Sequence, residues 1–326
     1  MYRRCALLLS VTIYVSGNYH PLSEEYIANI NRKQSTWTAG VNFDLSDWDR
    51  VKNLASSVRH IPHSILVKYK RNLKDDDPNA TIPEYFDSSE VWPGCETIGQ
   101  IRDQSSCNAG WAFAAVETMS DRICIFSNQT KQVYVSAQDL TTCCTECGDC
   151  QGGFAILAWT YWEDSGIVTG GLYNRTDQGC KSYFLPECDQ YSENCTDYVA
   201  TPSCSKNCDD AGVNYEDSLT FGTDIYYLES ARQVQLEMLQ KGPVEAQFTV
   251  YEDFVSYRSG IYQPTTENAI GSHAAKIVGW GVEDGVKFWK VANSWNRNWG
   301  ENGYFRIIRG VNSCGIESAV LCASPV

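Results

Sequence analysis

Residues 100–119 read Q-I-R-D-Q-S-S-C-N-A-G-W-A-F-A-A-V-E-T-M, a polar loop that runs directly into an apolar stretch. From Trp111 onward the apolar residues recur at helical spacing, at Trp111, Phe113, Ala115, Val116, Met119 and Ile123. The spacing predicts a helix that begins near Gly110 and buries one face. The N-terminus of a helix lowers the pKa of a nearby thiol and stabilises an oxyanion, because its backbone N–H groups are unpaired. The stretch therefore resembles an active-site loop that lacks its nucleophile.

The composition of the 326-residue chain is that of a folded protein with room for two domains. A hydrophobic content of 43% excludes a disordered chain. The net charge of −14 and the pI near 4.7 argue against nucleic acid or an anionic membrane surface as a partner. We expect a monomer with an acidic surface, and no residue pattern indicates a cofactor.

Cysteine content and glycosylation signals indicate the secretory pathway. Fourteen of the fifteen cysteines lie between Cys95 and Cys322. This density predicts an oxidising compartment in which the thiols form disulfides. Four sequons are compatible with N-glycosylation, at Asn79, Asn128, Asn174 and Asn194.

The N-terminal end has the pattern of a signal peptide. Arg3 and Arg4 precede an apolar run over residues 5–15, and small residues follow it. We assign residues 1–17 to the signal, with a buried N-terminal helix as the alternative. Neither this run nor any later stretch is long enough to span a membrane. The expected location is therefore secreted or lysosomal.

Several further sequence blocks carry a family resemblance. They are W-P-G-C-E-T-I from Trp92, D-R-I-C-I from Asp121, C-Q-G-G-F from Cys150, G-S-H-A-A-K from Gly271 and C-G-I-E-S from Cys314. Together with D-Q-x-x-C and W-A-F in the opening stretch, they resemble the papain family of cysteine peptidases, and within it the cathepsin B-like branch. The resemblance covers residues 82–326. It implies an α+β fold, papain-like and two-lobed, with a helical left lobe, an antiparallel β-barrel right lobe and the cleft between them.

The residues before this domain resemble a propeptide. Residues 18–81 contain no cysteine, carry a helical patch around Ile27 and end near a charged run at residues 74–78, which predicts a solvated linker. Residues 37–43, W-T-A-G-V-N-F, resemble the short inhibitory propeptide of the cathepsin B branch. The resemblance implies that this propeptide lies backwards along the substrate cleft.

The resemblance maps the family's nucleophile onto a glycine. In the family the catalytic cysteine directly precedes the Trp-Ala-Phe run, and in this chain that position is Gly110. Cys107 maps onto a structural, disulfide-bonded cysteine. Ser105 and Ser106 are no closer to the helix start, and a serine in such a loop is usually a turn residue. No neighbouring residue is therefore expected to replace the thiol.

The other catalytic positions match the family. His273, the only histidine after His63, maps onto the catalytic histidine, with a structural histidine as the alternative. Asn293 maps onto the residue that orients the imidazole, and Trp295 onto the indole that shields that bond. Gln104 maps onto the side-chain donor of the oxyanion hole, whose second donor is the backbone N–H of residue 110.

The resemblance also implies the substrate-binding positions. Gly152 and Gly153 are the residues against which the substrate backbone lies, and Ala319 is at the floor of the S2 pocket. Residues 180–208 correspond to the occluding-loop region, whose paired histidines grip a substrate's C-terminal carboxylate. This chain has no histidine there but Asp189, Gln190 and Tyr191, so carboxylate binding and exopeptidase action are not expected.

Twelve cysteines match the six disulfides of the family. The implied pairs are Cys95 with Cys124, Cys107 with Cys150, Cys143 with Cys204, Cys144 with Cys147, Cys180 with Cys208, and Cys188 with Cys195. The alternative, zinc ligation by Cys143, Cys144, Cys147 and Cys150, has suitable spacing but fits a secreted chain poorly. Cys314 and Cys322 stay unassigned, either free or paired with each other.

Three functions are compatible with these observations. The leading hypothesis is a pseudoenzyme that binds peptides or proteins, its own propeptide or cystatin-type inhibitors. The second is an active cysteine endopeptidase in which Gly110 is an error or an engineered change. The third is a structural extracellular module without binding at the cleft.

Overall fold

The computed structural model describes residues 19–33, 36–70, 80–189, 192, 195–196 and 198–326. Several sequence predictions fall outside these residues, namely the signal peptide over residues 1–17, the charged run at residues 74–78, the sequons at Asn79 and Asn194, and the loop residues Gln190 and Tyr191.

The described residues form eight α-helices joined by loops and short 3-10 turns. They are α1 Glu24–Lys33, α2 Trp48–Ala55, α3 His63–Leu66, α4 Ser88–Val91, α5 Gly110–Phe126, α6 Ala137–Cys143, α7 Ala155–Asp164 and α8 Ala231–Lys241. None of these described helices combines the length and the apolar content needed to cross a bilayer.

The described strands are short in the first half of the chain and long in the second. They are β1 Trp37–Ala39, β2 Phe86–Asp87, β3 Gly148–Asp149, β4 Gly152–Gly153, β5 Ile167–Val168, β6 Leu219–Thr220, β7 Gly222–Leu228, β8 Val244–Tyr251, β9 Tyr257–Tyr262, β10 Ala269–Glu283, β11 Val286–Ala292, β12 Tyr304–Ile308 and β13 Val320–Pro325. A large sheet has the order β1-β9-β12-β11-β10-β8-β13-β7, with β2 also paired to β10. Its pairs are antiparallel except β9 with β12. The α+β, two-lobed fold class is confirmed.

Helix α5 is the central element between the two lobes. It begins at Gly110, as predicted, but all its residues are buried except Ile123 and Phe126. The expectation of one buried face is therefore corrected. The helix packs against α7 on the helical side and against β10 on the sheet side, so it has almost no solvent face.

Strand β10 is longer than the apolar run at residues 275–280 that predicts it. Its first half, from Ala269 to Ile277, pairs with β8, and its second half, from Lys276 to Glu283, pairs with β11. The register shifts between Ile277 and Gly279, where one set of partners replaces the other. Pairing with β8 extends the strand into a polar N-terminal portion that hydrophobicity does not reveal.

The N-terminal segment is part of the sheet lobe's core. Trp37, Phe43 and Leu54 are at most 6% exposed and belong to the same apolar cluster as Trp295. Strand β1 extends the sheet by pairing with β9. A separate apolar cluster around Trp111 fills the helical lobe. The N-terminal segment and the sheet lobe therefore share one buried core.

Six disulfides join the described cysteines, in the same pairs that the resemblance implied: Cys95–Cys124, Cys107–Cys150, Cys143–Cys204, Cys144–Cys147, Cys180–Cys208 and Cys188–Cys195. The four cysteines of the zinc alternative are all in these bonds, so they do not form a metal site. Cys314 and Cys322 are not joined to each other.

Candidate active site

Gly110 lies directly against the imidazole of His273. Gly110 is the first residue of α5, and His273 lies on β10. A Cβ atom built on Gly110 would lie 2.3 Å from Cε1 and 2.5 Å from Nδ1 of His273, closer than Cβ atoms approach other atoms in proteins. Any side chain at residue 110 would therefore displace the ring as it now lies. The structure brings together the two residues at the centre of the predicted site.

The imidazole of His273 is held in one tautomer. Its Nε2 lies 2.9 Å from Oδ1 of Asn293, and the backbone N–H of Ser294 donates to the same oxygen at 2.9 Å. Because that oxygen accepts from Ser294, Nε2 is the protonated nitrogen of the ring and Nδ1 carries the lone pair. Burial lowers the pKa of His273 to about 4, so the ring is neutral near pH 7.

The Nδ1 atom of His273 accepts a hydrogen bond from Ser57, a residue of the N-terminal segment. The distance from Ser57 Oγ to Nδ1 is 2.7 Å, and both residues are fully buried. Ser57, His273 and Asn293 therefore form a continuous hydrogen-bonded series. No sequence motif marks Ser57, because its bond to His273 spans 216 positions and its local sequence carries no chemical signal.

Trp295 covers the bond between His273 and Asn293. The ring centroids of Trp295 and His273 are 5.2 Å apart, and Trp295 is 2% exposed. The turn after β11 is held by the backbone N–H of Asn293, which donates to the carbonyl of Gly303 at 3.0 Å. The three residues predicted as the base, the orienting amide and the shielding indole thus lie together: His273, Asn293 and Trp295.

A buried ion pair holds α5 against β10 close to this centre. The Nζ atom of Lys276 lies 2.7 Å from Oδ2 of Asp121, and both side chains are fully buried. Lys276 is three residues from His273 on β10, and Asp121 lies in the third turn of α5. Glu117, one turn earlier, lies 3.9 Å from the same Nζ. These contacts fix the relative position of Gly110 and His273.

Gln104 lies in the loop before α5, where its amide bridges two parts of the site. Its Nε2 donates to the carbonyl of Cys107 at 3.1 Å, and its Oε1 accepts from the hydroxyl of Ser294 at 2.8 Å. The side chain is fully buried. The amide is therefore held between the helix start and the turn that carries Asn293, while its oxyanion role stays a prediction.

A stretch of the N-terminal segment lies in the cleft as an extended peptide. The carbonyl of Ser57 accepts from the backbone N–H of Gly153 at 3.0 Å, and the N–H of Arg59 donates to the carbonyl of Gly153 at 2.8 Å. On the opposite side the N–H of Val58 donates to the carbonyl of Ser272 at 2.9 Å. Both lobes therefore bind the same three residues of backbone.

Gly152 and Gly153 allow this close approach. Gly152 has a φ of +100°, which disfavours other residues, and a Cβ there would lie 3.2 Å from the carbonyl oxygens of Ser56 and Ser57. A Cβ on Gly153 would lie 2.5 Å from the indole of Trp111. The predicted backbone-binding glycines are thus in contact with an extended peptide.

Ala319 lines a cavity of about 280 Å³ beside the cleft. Its neighbours in the wall include Ala155, Ile156, Phe248, Cys314 and Ser318, while Arg59 to Ile61 and Leu66 of the segment close the other side. Burial raises the pKa of Cys314 to about 12, so its thiol is protonated at neutral pH. Cys314 therefore presents a neutral thiol to this cavity.

The region of the expected occluding loop begins at a buried carboxyl group. Oδ2 of Asp103 accepts from the backbone N–H of Cys188 at 2.7 Å, and Oδ1 accepts from that of Ser105 at 2.7 Å. Burial raises the pKa of Asp103 to about 7. Asp189, the residue after Cys188, accepts hydrogen bonds from the side-chain amide of Asn298 and the hydroxyl of Ser192. Asp189, one of the residues expected to match the family's paired histidines, is thus hydrogen-bonded within this region.

Two of the four sequons lie on described residues. Asn128 and Asn174 are both exposed, with φ values of +53° and +58° that asparagine tolerates in turns. Their side chains are therefore accessible to a glycosylating enzyme, although glycosylation itself stays a prediction.

Comparisons with known proteins agree on one family. The sequence profile of the family described as papain family cysteine protease matches residues 82–324. The cathepsin B-like cysteine proteinase 4 of Caenorhabditis elegans is 43% identical over 331 residues, which cover 98% of this chain and 98% of that protein. A cathepsin B-like cysteine proteinase of Schistosoma japonicum is 41% identical over 321 residues, with 95% and 93% covered. Among solved structures, procathepsin B S9 from Trypanosoma congolense matches with a TM-score of 0.82 at 31% identity, covering 94% of this chain and 100% of that one.

Proposed function

Since this chain belongs to the papain family of cysteine peptidases, as a cathepsin B-like homologue, we propose that it keeps the family's peptide-binding cleft but cannot carry out proteolysis. Peptide-bond hydrolysis in this family needs a thiolate, an imidazole that takes and returns its proton, and a group that orients the imidazole. Of these three, His273 and Asn293 supply the second and the third.

The observation that carries the proposal is Gly110 at the nucleophile position. It begins α5 and faces His273, with no room for a side chain between them. Its backbone N–H remains as an oxyanion donor, but no sulfur is present. The neighbouring cysteine, Cys107, is bonded to Cys150. Loss of the nucleophile from a hydrolytic triad lowers kcat by about 10⁶.

The retained cleft supports binding as the remaining function. Gly153 and Ser272 hydrogen-bond three residues of extended backbone, as a ligand-binding cleft requires. We assign residues 1–17 to a signal peptide, 18–81 to the propeptide and 82–326 to the peptidase-like domain. Expected partners are peptides or proteins, the chain's own propeptide and cystatin-type inhibitors. The protein is proposed to be a secreted or lysosomal glycosylated monomer.

The proposal extends to exopeptidase action, which we also expect to be lost. Residues 180–208 contain no histidine, and Asp189 would repel the C-terminal carboxylate of a peptide. Restoring a nucleophile alone would therefore give an endopeptidase rather than a dipeptide-releasing enzyme.

The test compares the parent chain with a Gly110→Cys variant. Both carry Trp37→Ala, because Trp37 anchors the N-terminal segment in the core of the sheet lobe, so that the segment dissociates once the folded protein has been cut between residues 70 and 80. We expect thiol-dependent hydrolysis of a fluorogenic peptide by Gly110→Cys only. The double variant Gly110→Cys/His273→Ala is the matched control and should be inactive. Turnover by the parent that a cysteine-directed inhibitor blocks would show that it is an active peptidase.

Binding is tested on the same segment-free parent with a labelled peptide of residues 53–61. We expect saturable binding by fluorescence anisotropy, with competition by the unlabelled peptide. A purely structural module predicts no binding at the cleft.

A further inference from the structure

We propose that Gly110 and His273 together form a pocket for the side chain of a serine in a peptide that lies in the cleft. The inference rests on the proposed function and specifies its ligand: a peptide with a small hydroxyl-bearing residue opposite His273. Ser57 is the resident example, supplied by the chain itself.

The space for this hydroxyl exists because residue 110 is glycine. A Cβ atom on Gly110 would lie 2.5 Å from Ser57 Oγ, so the hydroxyl and a side chain at residue 110 cannot both be present. Ser57, Gly110 and His273 are all buried. The serine hydroxyl thus lies in the gap between the start of α5 and the imidazole.

The chemistry of the pocket selects a hydrogen-bond donor. Nε2–H of His273 is committed to Asn293, so Nδ1 presents a lone pair to the peptide. Ser57 donates to it at 2.7 Å. An alanine would leave this buried acceptor without a donor, and a carboxylate would place a second acceptor against it. A neutral hydroxyl satisfies both the size and the polarity of the site.

The backbone contacts set which residue of a peptide enters the pocket. Gly153 binds the carbonyl of Ser57 and the N–H of Arg59, and Ser272 binds the N–H of Val58. These bonds on both sides of Val58 hold the preceding residue over Gly110. The register of the backbone therefore presents the side chain of residue 57 to His273.

The first experiment measures amide hydrogen exchange in the full-length chain. The N–H of Gly153 bonds to Ser57 and reports whether the segment is seated. The variants are Ser57→Ala, Gly110→Ala and their combination. Ser56→Ala is the control, since Ser56 Oγ donates to the carbonyl of Ile270 and not to His273.

We expect Ser57→Ala to lower the protection of the Gly153 amide by roughly tenfold or more, as for a buried acceptor that loses its donor. Gly110→Ala should lower it too, because its methyl group takes the hydroxyl's place. The combined variant Ser57→Ala/Gly110→Ala should lower the protection of the Gly153 amide little more than the more damaging single substitution does. When Ser56→Ala and Gly110→Ala are combined instead, their two reductions in protection should multiply. Independent effects of Ser57→Ala and Gly110→Ala would overturn the proposal.

The second experiment tests whether the pocket prefers a serine side chain in an external peptide. Two labelled peptides of residues 53–61 are titrated into the segment-free protein, whose cleft is no longer occupied by residues 57–59. One carries serine at position 57, and the other carries 2-aminobutyrate, in which a methyl group replaces the hydroxyl. We expect the serine peptide to bind at least tenfold more tightly, and this preference to vanish in the segment-free Gly110→Ala variant.

Equal affinities of the two peptides would overturn the proposal. Failure of both peptides to bind, with the coupling of Ser57 and Gly110 intact, would instead contradict the proposed binding of external peptides. The claim of an external serine ligand would then fall with it. The two failures are therefore distinguishable.

Discussion

At the scale of the residue, glycine at position 110 leaves space beside the imidazole of His273. This space is filled by Ser57 Oγ, which lies 2.7 Å from Nδ1. The imidazole thus keeps two hydrogen bonds, one to each neighbour, as a buried neutral histidine requires. The hydroxyl of Ser57 thus occupies the position that a side chain at residue 110 would take.

The sequence predicted the members of this centre that motifs identify, but not the residue that completes it. Gly110, His273 and Asn293 each stand in a recognisable block. Ser57 lies 53 positions before Gly110 in a segment whose resemblance was limited to residues 37–43. A contact made by one hydroxyl across such a distance depends on the register of the whole segment, which the sequence pattern does not determine.

The buried imidazole of His273 should make the stability of the protein depend on pH. Its folded-state pKa of about 4 lies below the ordinary 6.5 because the ring is buried. As the pH falls, the unfolded chain therefore binds a proton at His273 before the folded chain does. The contribution of neutral His273 to the free energy of unfolding is complete above pH 6.5 and is lost as the pH falls toward 4. The two and a half pKa units correspond to roughly 3 kcal/mol of unfolding free energy.

Urea unfolding of the parent and of His273→Gln between pH 7 and pH 4 measures this contribution. We expect the parent to lose roughly 3 kcal/mol more than the variant over that range. Other titrating groups, such as Asp103, are common to both chains and cancel in the difference. Parallel pH profiles would mean that His273 is not held neutral by burial.

At the scale of the element, the site depends on how α5 lies against β10. The apolar spacing of residues 111–123 predicts the helix and its start, but not that both sides would be buried. Glu117 and Asp121 look like solvent-facing residues in the sequence. In the structure they face Lys276, a charged residue in an otherwise apolar part of β10. Partners on a distant strand decide the burial of these side chains.

Replacement of the buried Lys276 should destabilise the packing of α5 against β10. Lys276→Met leaves Asp121 buried without its cation, which typically costs about 3–5 kcal/mol. Denaturant unfolding of the oxidised chain measures the change. Lys52→Met, which removes an exposed pair with Asp49, should cost less than about 1 kcal/mol. Similar effects of the two substitutions would contradict a structural role of the buried pair.

At the scale of the whole molecule, the N-terminal segment is an integral part of the sheet lobe. The sequence resemblance predicted a propeptide along the cleft, and the structure adds that its Trp37 lies in the lobe's core. Trp37 is 3% exposed, its ring lies 5.1 Å from that of Tyr262, and its indole N–H donates to the carbonyl of Gln263 at 2.9 Å. The segment is therefore held by its own core contacts as well as by the cleft.

Retention of the segment after cleavage tests this arrangement. If the folded chain is cut between residues 70 and 80, we expect residues 19–70 to co-elute with the remainder in size-exclusion chromatography. Trp37→Ala should release them, since loss of a buried tryptophan costs about 3–5 kcal/mol. Leu45→Ala, at a side chain that is 56% exposed, is the control and should retain them. Release from the parent itself would contradict the account.

On the proposed function, no cysteine of this protein acts as a catalytic nucleophile. Covalent labelling tests it directly: the parent and Gly110→Cys, each freed of the segment, are incubated with a peptidyl epoxide that alkylates catalytic thiolates, and adducts are counted by intact mass. We expect no adduct on the parent and one adduct on Gly110→Cys, at residue 110. An adduct on the parent, at Cys314 or elsewhere, accompanied by loss of a peptide-hydrolysing activity, would contradict it.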